Sequence, residues 1–338
     1  MSGQRLVIER LGHRGEGVAR TQSGLVFVPF ALPGETVLAE TNGERARLVE
    51  IVTPSPARIQ PFCPHYGSCG GCAVQTLAPD PYARWKRGLV ETALRNAGLE
   101  MEVSGLVDAH GAGRRRVTFH ARMEKGHARL GFMQARSHDL MEIDACPLLE
   151  PGLDRALPVA RALAGALASR GKPLDVVVTN TLNGLDVDIR GAGAFEEGET
   201  RTLIEFAETL DLARLANHGR LVALRRPPAI TIGDTPVVPP PGGFLQATSA
   251  GELAIAALVE SLVPPGAARV ADLFCGVGAF ALRLAARARV LAVDGDGAAV
   301  DALIRAARES RSLKPIEAET RDLFRRPLLP DELAPFDA

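Results

Sequence analysis

A chain of 338 residues, 46% hydrophobic and 23% charged, has the length of two or three domains and enough apolar side chains for sizeable cores. Its formal charge of -1, from 39 Lys and Arg against 40 Asp and Glu, argues against a uniformly basic nucleic-acid binder, so contacts to phosphate have to come from a local cluster. No apolar run reaches the length of a membrane helix, and the opening M-S-G-Q-R-L-V-I-E-R lacks the apolar centre of a secretion signal; a cytoplasmic protein outside the membrane is expected.

Residues 4 to 52 alternate apolar and polar side chains in short runs, R-L-V-I-E-R-L, G-L-V-F-V-P-F and A-R-L-V-E-I-V, separated by glycine-rich turns. That rhythm predicts a small antiparallel β-barrel over residues 1–55. A proline-containing connector then leads into C-P-H-Y-G-S-C-G-G-C, which places Cys63, Cys69 and Cys72 on one short loop coiled by Gly67, Gly70 and Gly71. A lone Cys146 follows in D-A-C-P-L. Three thiols in ten positions point to a metal centre rather than scattered disulfides. The spacing suits a cuboidal iron-sulfur cluster, and zinc held by four cysteines is the competing reading.

A helix is predicted from Asp80 and Pro81, with Trp85, Leu89 and Leu94 on one face and Gly98 as its left-handed stop. Strands follow near 115–122 and 128–133. Arg114, Arg115 and Arg116 stand together at the first of them and are the candidate RNA-binding cluster, with a solvated charged face as the alternative. His120, His127 and His138 lie nearby without ligand spacing. A second helix over 153–170, a strand pair in V-V-V-T-N-T and L-D-V-D-I-R, a helix over 197–211 and short strands within 220–233 make residues 56–240 an α+β domain.

P-V-V-P-P-P-G-G reads as a stiff linker, and Ser249 with Glu252 as the capping box of an alanine-rich helix. Strand-helix alternation then predicts a parallel sheet over 241–338. In R-V-A-D-L-F-C-G-V-G-A-F, Gly276 and Gly278 follow an apolar strand, and Asp294 ends the next strand, V-L-A-V-D, where a ribose-binding carboxylate belongs. The same pattern satisfies a nicotinamide fingerprint. Asp272 inside the strand end favours S-adenosylmethionine, because methyltransferase turns carry an acid there.

D-L-F-C-G-V-G-A-F, the C-x5-C-x2-C loop with its distant Cys146, and F-L-Q at 244–246 together resemble the bacterial RNA uracil-C5 methyltransferases, most closely those acting on 23S ribosomal RNA. The resemblance runs from about residue 3 to the last residue. It implies a multidomain α/β and β protein: an OB-like TRAM β-barrel, a central α+β domain with an iron-sulfur loop, and a Rossmann-like methyltransferase domain, here incomplete. It implies a [4Fe-4S] cluster on Cys63, Cys69, Cys72 and Cys146, and S-adenosylmethionine contacts at Gln246, Phe274, Ala279, Asp294 and Asp322 around Gly276 and Gly278. Ala279 and Asp294 depart from the polar residue and the glutamate more usual there. The implied RNA partner is 23S ribosomal RNA, with transfer RNA as the alternative, and a monomer is expected.

In that family a cysteine thiolate adds to uracil carbon 6, which makes carbon 5 nucleophilic toward the sulfonium methyl. The nucleophile belongs to an S-C-[ND]-P motif downstream of D-P-P-R, neither of which occurs in these 338 residues. No catalytic residue is therefore assigned, the chain alone is expected to be inactive, and Cys275 reads as a packed side chain of the turn. A non-catalytic RNA- and cofactor-binding protein is the alternative of a different class.

Overall fold

The computed structural model describes residues 3–338, which fall into two compact units. One takes in the residues up to Val107 together with Phe132–Ile143; the other takes in Asp108–Gly131 and Asp144–Ala338.

In the first unit, β1 (Gln4–Val7), β2 (Arg10–Leu11), β3 (Gly17–Thr21), β4 (Gly24–Val28), β5 (Thr36–Asn42) and β6 (Arg45–Thr53) form one sheet in the order β1-β5-β6-β4-β3-β2. Alternation decides which side chains go inward: Leu6 lies opposite Val37, and both join Ile8, Val26, Val28 and Ala39 in one core. A smaller cluster of Leu11, Leu32 and Leu77 receives Tyr82 and Trp85 from α1 (Pro79–Asn96). Trp85 Nε1 donates to the Gly12 carbonyl at 3.2 Å, so Trp85 of the expected face docks, together with Tyr82. Gly98 takes φ +76°, as its stop position requires.

The second unit holds two sheets that position its chemistry. Strands β7 (Arg116–Glu124) and β8 (His127–Met133) form a hairpin; β9 (Leu140–Glu142) follows them in the chain and belongs to the first unit. With β10 (Leu174–Thr181), β11 (Gly184–Arg190), β12 (Arg214–Asn217) and β13 (Arg220–Leu224) the sheet runs β13-β12-β11-β10-β7-β8. Phe119 opposite Val176 marks its buried face, on which α2 (Ala156–Ala166) packs; α3 (Glu197–Thr209) packs against α2 and the β12-β13 end. The second helix is shorter than 153–170 because 3-10 turns flank it on both sides. β12 escaped sequence reading, since R-L-A-N is too short to show a period.

A small hairpin, β14 (Ile230–Ile232) and β15 (Thr235–Val237), delivers Ile230, Ile232 and Val237 to the core of the last part of the chain. There β16 (Arg269–Leu273), β17 (Arg289–Asp294) and β18 (Ile316–Thr320) form a parallel sheet in that order. Helices α5 (Ala281–Leu284) and α6 (Gly297–Glu309) pack against it, α4 (Ser249–Leu262) adds Val259 to its core, and α7 (Pro330–Leu333) follows in the chain. Val290, Ala292, Leu303 and Ala306 share its core, and Asp296 caps α6 by accepting from Ala298 and Ala299 N–H. Asp337 N–H donates to Arg269 and the Ala338 carbonyl accepts from Ala271, so the last two residues lie along β16. The cap of α4 is Thr248, which accepts from Gly251 N–H at 2.9 Å. Glu252 is not half of a capping box, because its carboxylate is buried in an ion pair with Arg115. No helix of the described residues is long and apolar enough to cross a membrane.

Candidate functional site

The carboxyl ends of β16, β17 and β18 carry the predicted turn, which is where open parallel sheets bind ligands. Phe274 and Cys275 N–H both donate to the Val293 carbonyl, at 2.8 and 3.1 Å, so the chain leaves β16 while still tied to β17. Phe274 takes φ +63°, a strained value for a side chain this size. Gly278 takes φ +91°, and a Cβ there would stand 2.5 Å from Leu303 Cδ1, which is why this position is glycine.

Asp294 closes the turn. Its Oδ2 accepts from Gly276 N–H and its Oδ1 from Asp296 N–H, both at 2.8 Å. The sequence-predicted Gly276 and Asp294 are thus in direct contact, and the carboxylate retains lone pairs for a further donor. Arg321 N–H donates to the Asp294 carbonyl at 2.9 Å, bringing the start of the Asp322 turn to the same strand end. Asp322 Oδ1 accepts from Phe324 and Arg325 N–H, and this sets the Phe324 ring 5.3 Å from that of Phe274. Both rings are solvent-facing, at 57% and 89% exposed. Phe324 went unnoticed in the sequence, since its only signal is an aromatic two residues past Asp322. Ala279 is half-buried beside the turn.

Two groups here have displaced acidities. Burial holds the Asp272 carboxyl up at about 6 against 3.8 for an exposed aspartate, with the neighbouring Asp294 charge adding to it, and Asp272 Oδ2 has no hydrogen-bond partner among the described residues. Burial, then the Asp272 and Asp294 charges, push the Cys275 thiol up to about 12. A thiol that stays protonated is a poor nucleophile, so Cys275 is packing. For Asp272 the folded pKa lies above the unfolded one, hence the native state holds the extra proton and stability falls as pH rises from about 4 through about 6. Urea titrations of wild type and Asp272→Asn should differ little at pH 4 and by roughly 2–3 kcal/mol in favour of the variant at pH 7.5. Parallel pH profiles would show that Asp272 carries no such penalty.

Gln246 is reached through the arginines. Arg115 N–H donates to the Ala247 carbonyl at 3.1 Å, and Arg115 Nε to the Gln246 carbonyl at 2.9 Å. Its Nη2 bonds Glu252 at 2.7 Å, with Arg283 on the other carboxylate oxygen at 3.4 Å. Arg116 Nη1 donates to the Gly243 carbonyl and its Nε to Thr179 Oγ1. Arg214, Arg190 and Arg116 thereby grip the carbonyls of Pro239, Gly242 and Gly243, so the predicted linker is a fastened strap. The expectation of three RNA-facing arginines changes accordingly. Arg115 is 4% exposed and spent on an ion pair, Arg116 is half-buried, and Arg114 alone is exposed.

In the first unit, Cys63, Cys69 and Cys72 lie half-buried on one loop, braced by Tyr66, whose hydroxyl donates to the Ala73 carbonyl at 2.9 Å. Gly71 N–H donates to Cys69 Sγ at 3.4 Å, and a Cβ at Gly70 would meet the Met133 and Gln134 carbonyls at 3.0 Å. Cys146 lies half-buried in the second unit, its carbonyl accepting from Leu149 N–H. None of the five cysteines is in a disulfide. The donor chemistry suits iron, yet among the described residues no group of three or more His, Cys, Asp or Glu side chains could hold a metal ion. His120 bonds Asp175 at 2.7 Å on the sheet, which occupies it structurally.

The TRAM domain family matches residues 2–40. An uncharacterized RNA methyltransferase of Brucella suis is 42% identical over 98% of this chain and 80% of its own length. The 23S rRNA (uracil(1939)-C(5))-methyltransferase RlmD of Halomonas elongata is 34% identical over 94% of this chain and 71% of its own length. Among solved structures, the Pyrococcus abyssi tRNA (uracil-54, C5)-methyltransferase in complex with S-adenosyl-L-homocysteine aligns with a TM-score of 0.67 at 20% identity, covering 93% of this chain and 79% of that one. That likeness establishes the fold: a mixed α/β methyltransferase preceded by a TRAM sheet.

Proposed function

We propose a function from the premise that this chain belongs to the RNA methyltransferase family that includes the 23S rRNA (uracil-C5)-methyltransferases. Its reaction is transfer of a methyl group to carbon 5 of a uridine, with 23S ribosomal RNA as substrate. The observation that carries this reading is the turn tied by Asp294 to Gly276 at the strand ends, with Phe274 and Phe324 beside it.

S-adenosylmethionine supplies the methyl group when bound. Asp294 offers its remaining lone pairs to ribose hydroxyls, the two phenylalanines offer apolar faces to a purine, and Gly276 and Gly278 let the backbone come close. Gln246, Ala279 and Asp322 complete the proposed contact set. Arg115 holds the backbone of Gln246, and Arg114 is left to meet RNA. No residue of the 338 is assigned as the nucleophile, and the high thiol pKa of Cys275 supports leaving it out. Mass spectrometry of RNA from cells with the whole gene disrupted tests this. The 5-methyluridine of 23S ribosomal RNA should fall at one position and return on complementation. Loss confined to transfer RNA would move the substrate, and no loss in either would refute the activity.

The finer reading of the cysteine loop is that it takes up a [4Fe-4S] cluster, supported by three reduced thiols within ten residues. Cys63, Cys69 and Cys72 would hold the cluster, and binding at such sites is coupled to folding of the loop. Anaerobically purified protein should contain about four iron and four acid-labile sulfide per chain. The Cys69→Ser variant should lose most of both, and the same assay on Cys146→Ser tells whether it joins them. Colourless protein with one zinc would contradict the reading.

A further inference from the structure

Gln75 stands three residues after Cys72, and its side chain turns back onto the cysteine loop of the first unit. Its Oε1 accepts from Cys63 N–H at 3.3 Å. The residue is 9% exposed, and its Nε2 is buried with no hydrogen-bond partner among the described residues. A buried amide hydrogen without an acceptor costs about 1–3 kcal/mol, so a group that supplies one is favoured beside it.

The amide cannot avoid that cost by flipping. Turned over, it would point Nε2 at Cys63 N–H, donor against donor, and give up the bond it has. The backbone is held as well. Ile59 N–H donates to the Thr76 carbonyl at 2.8 Å and Ala78 N–H to the Ala57 carbonyl at 2.9 Å, on either side of Leu77, which is buried with Leu11 and Leu32. Oxygen and nitrogen sit on one planar carbon, so fixing Oε1 on the Cys63 amide holds Nε2 beside that residue too.

The rest of the loop is shaped to the same end. Gly71 N–H donates to Cys69 Sγ at 3.4 Å, and Gly70 N–H donates to the Met133 carbonyl at 2.9 Å with no room for a Cβ. One thiol has a backbone donor, and next to another lies a buried side-chain donor. Both features fit the loop to a cluster, whose thiolates carry negative charge and accept hydrogen bonds.

We infer that Gln75 donates its Nε2 hydrogen to the Cys63 sulfur of the [4Fe-4S] cluster and that this bond raises the cluster's reduction potential. The inference rests on the cluster reading above and deepens it by naming a residue that acts through a ligand without being one. An added electron increases the charge on the sulfurs, so a donor there stabilises the reduced cluster more than the oxidised one.

The test is a potentiometric titration of the anaerobically purified 338-residue chain with dithionite, followed by electron paramagnetic resonance of the reduced cluster. Dithionite supplies one electron to each cluster, and no ligand bond changes. Gln75→Leu removes the donor without adding charge; Gln75→Glu removes it while keeping an oxygen for Cys63 N–H. Both should retain about four iron per chain, because every thiolate remains. Reduction should become about tenfold less favourable in Gln75→Leu, a downward shift of about 59 mV for one electron, and at least as much so in Gln75→Glu. Loaded variants at the wild-type potential would overturn the hydrogen bond and leave the cluster reading standing. A shift in Gln75→Glu alone would belong to its charge and would overturn the bond too. A wild-type chain that holds zinc or no metal would overturn the cluster reading and this inference with it.

Discussion

Glu252→Ala is expected to lower the unfolding free energy by about 3–5 kcal/mol, the largest effect of any single side chain around the site. Glu252 and Arg115 are each 5% exposed at the side chain and 2.7 Å apart. Removing the carboxylate leaves the Arg115 guanidinium buried with a carbonyl but no counter-charge, and Arg283 loses the same partner. Replacing both Arg115 and Glu252 with apolar residues should restore much of the loss, because the penalty belongs to the abandoned charge rather than to the missing pair. The substitution should also cost cofactor affinity, since Arg115 fixes the Gln246 and Ala247 carbonyls. Urea denaturation at constant m-value measures the first effect and calorimetry with S-adenosylhomocysteine the second. A loss under 1 kcal/mol would mean that water reaches the pair.

The second large effect is on binding. Asp294→Ala should weaken S-adenosylhomocysteine by at least about 100-fold, because two charge-assisted hydrogen bonds to the turn disappear together with the ribose acceptor, each worth about 1.5–3 kcal/mol. Asp294→Asn keeps one oxygen for Gly276 N–H and should lose less. Cys275→Ala is the control: the side chain is buried and its thiol protonated, so affinity should stay within a few-fold of wild type. If Asp294→Ala binds normally, the turn is not the cofactor site.

What could be read from the sequence was the part written in local patterns. The G-x-G turn, the acid eighteen positions on, the alternating strands of the first unit and the helix between Pro79 and Asn96 each depend on neighbours within a few residues or on a familiar spacing. What could not be read depends on partners far along the chain. Three consecutive arginines look like a charged surface until β7 and β10 pair and the 239–247 segment folds across Arg115 and Arg116. Glu252 looked like a cap because it stands three residues after Ser249; a distant guanidinium outbids that local bond, and Thr248 caps instead. The buried Gln75 amide had no signal at all, since its place beside Cys63 is set by the bonds of Thr76 and Ala78 to Ile59 and Ala57.

Family membership and the TRAM match place the chain among RNA methyltransferases. The geometry adds a specific mechanical account: a cofactor turn tied by one carboxylate, and a strap held over the central sheet by Arg214, Arg190 and Arg116. Titration calorimetry of the purified 338-residue chain with S-adenosylhomocysteine and, separately, with a nicotinamide dinucleotide tests that account most directly. The prediction is one saturable site for S-adenosylhomocysteine, lost in Asp294→Ala, and no heat from the dinucleotide. Binding of the dinucleotide, or of neither, would contradict it.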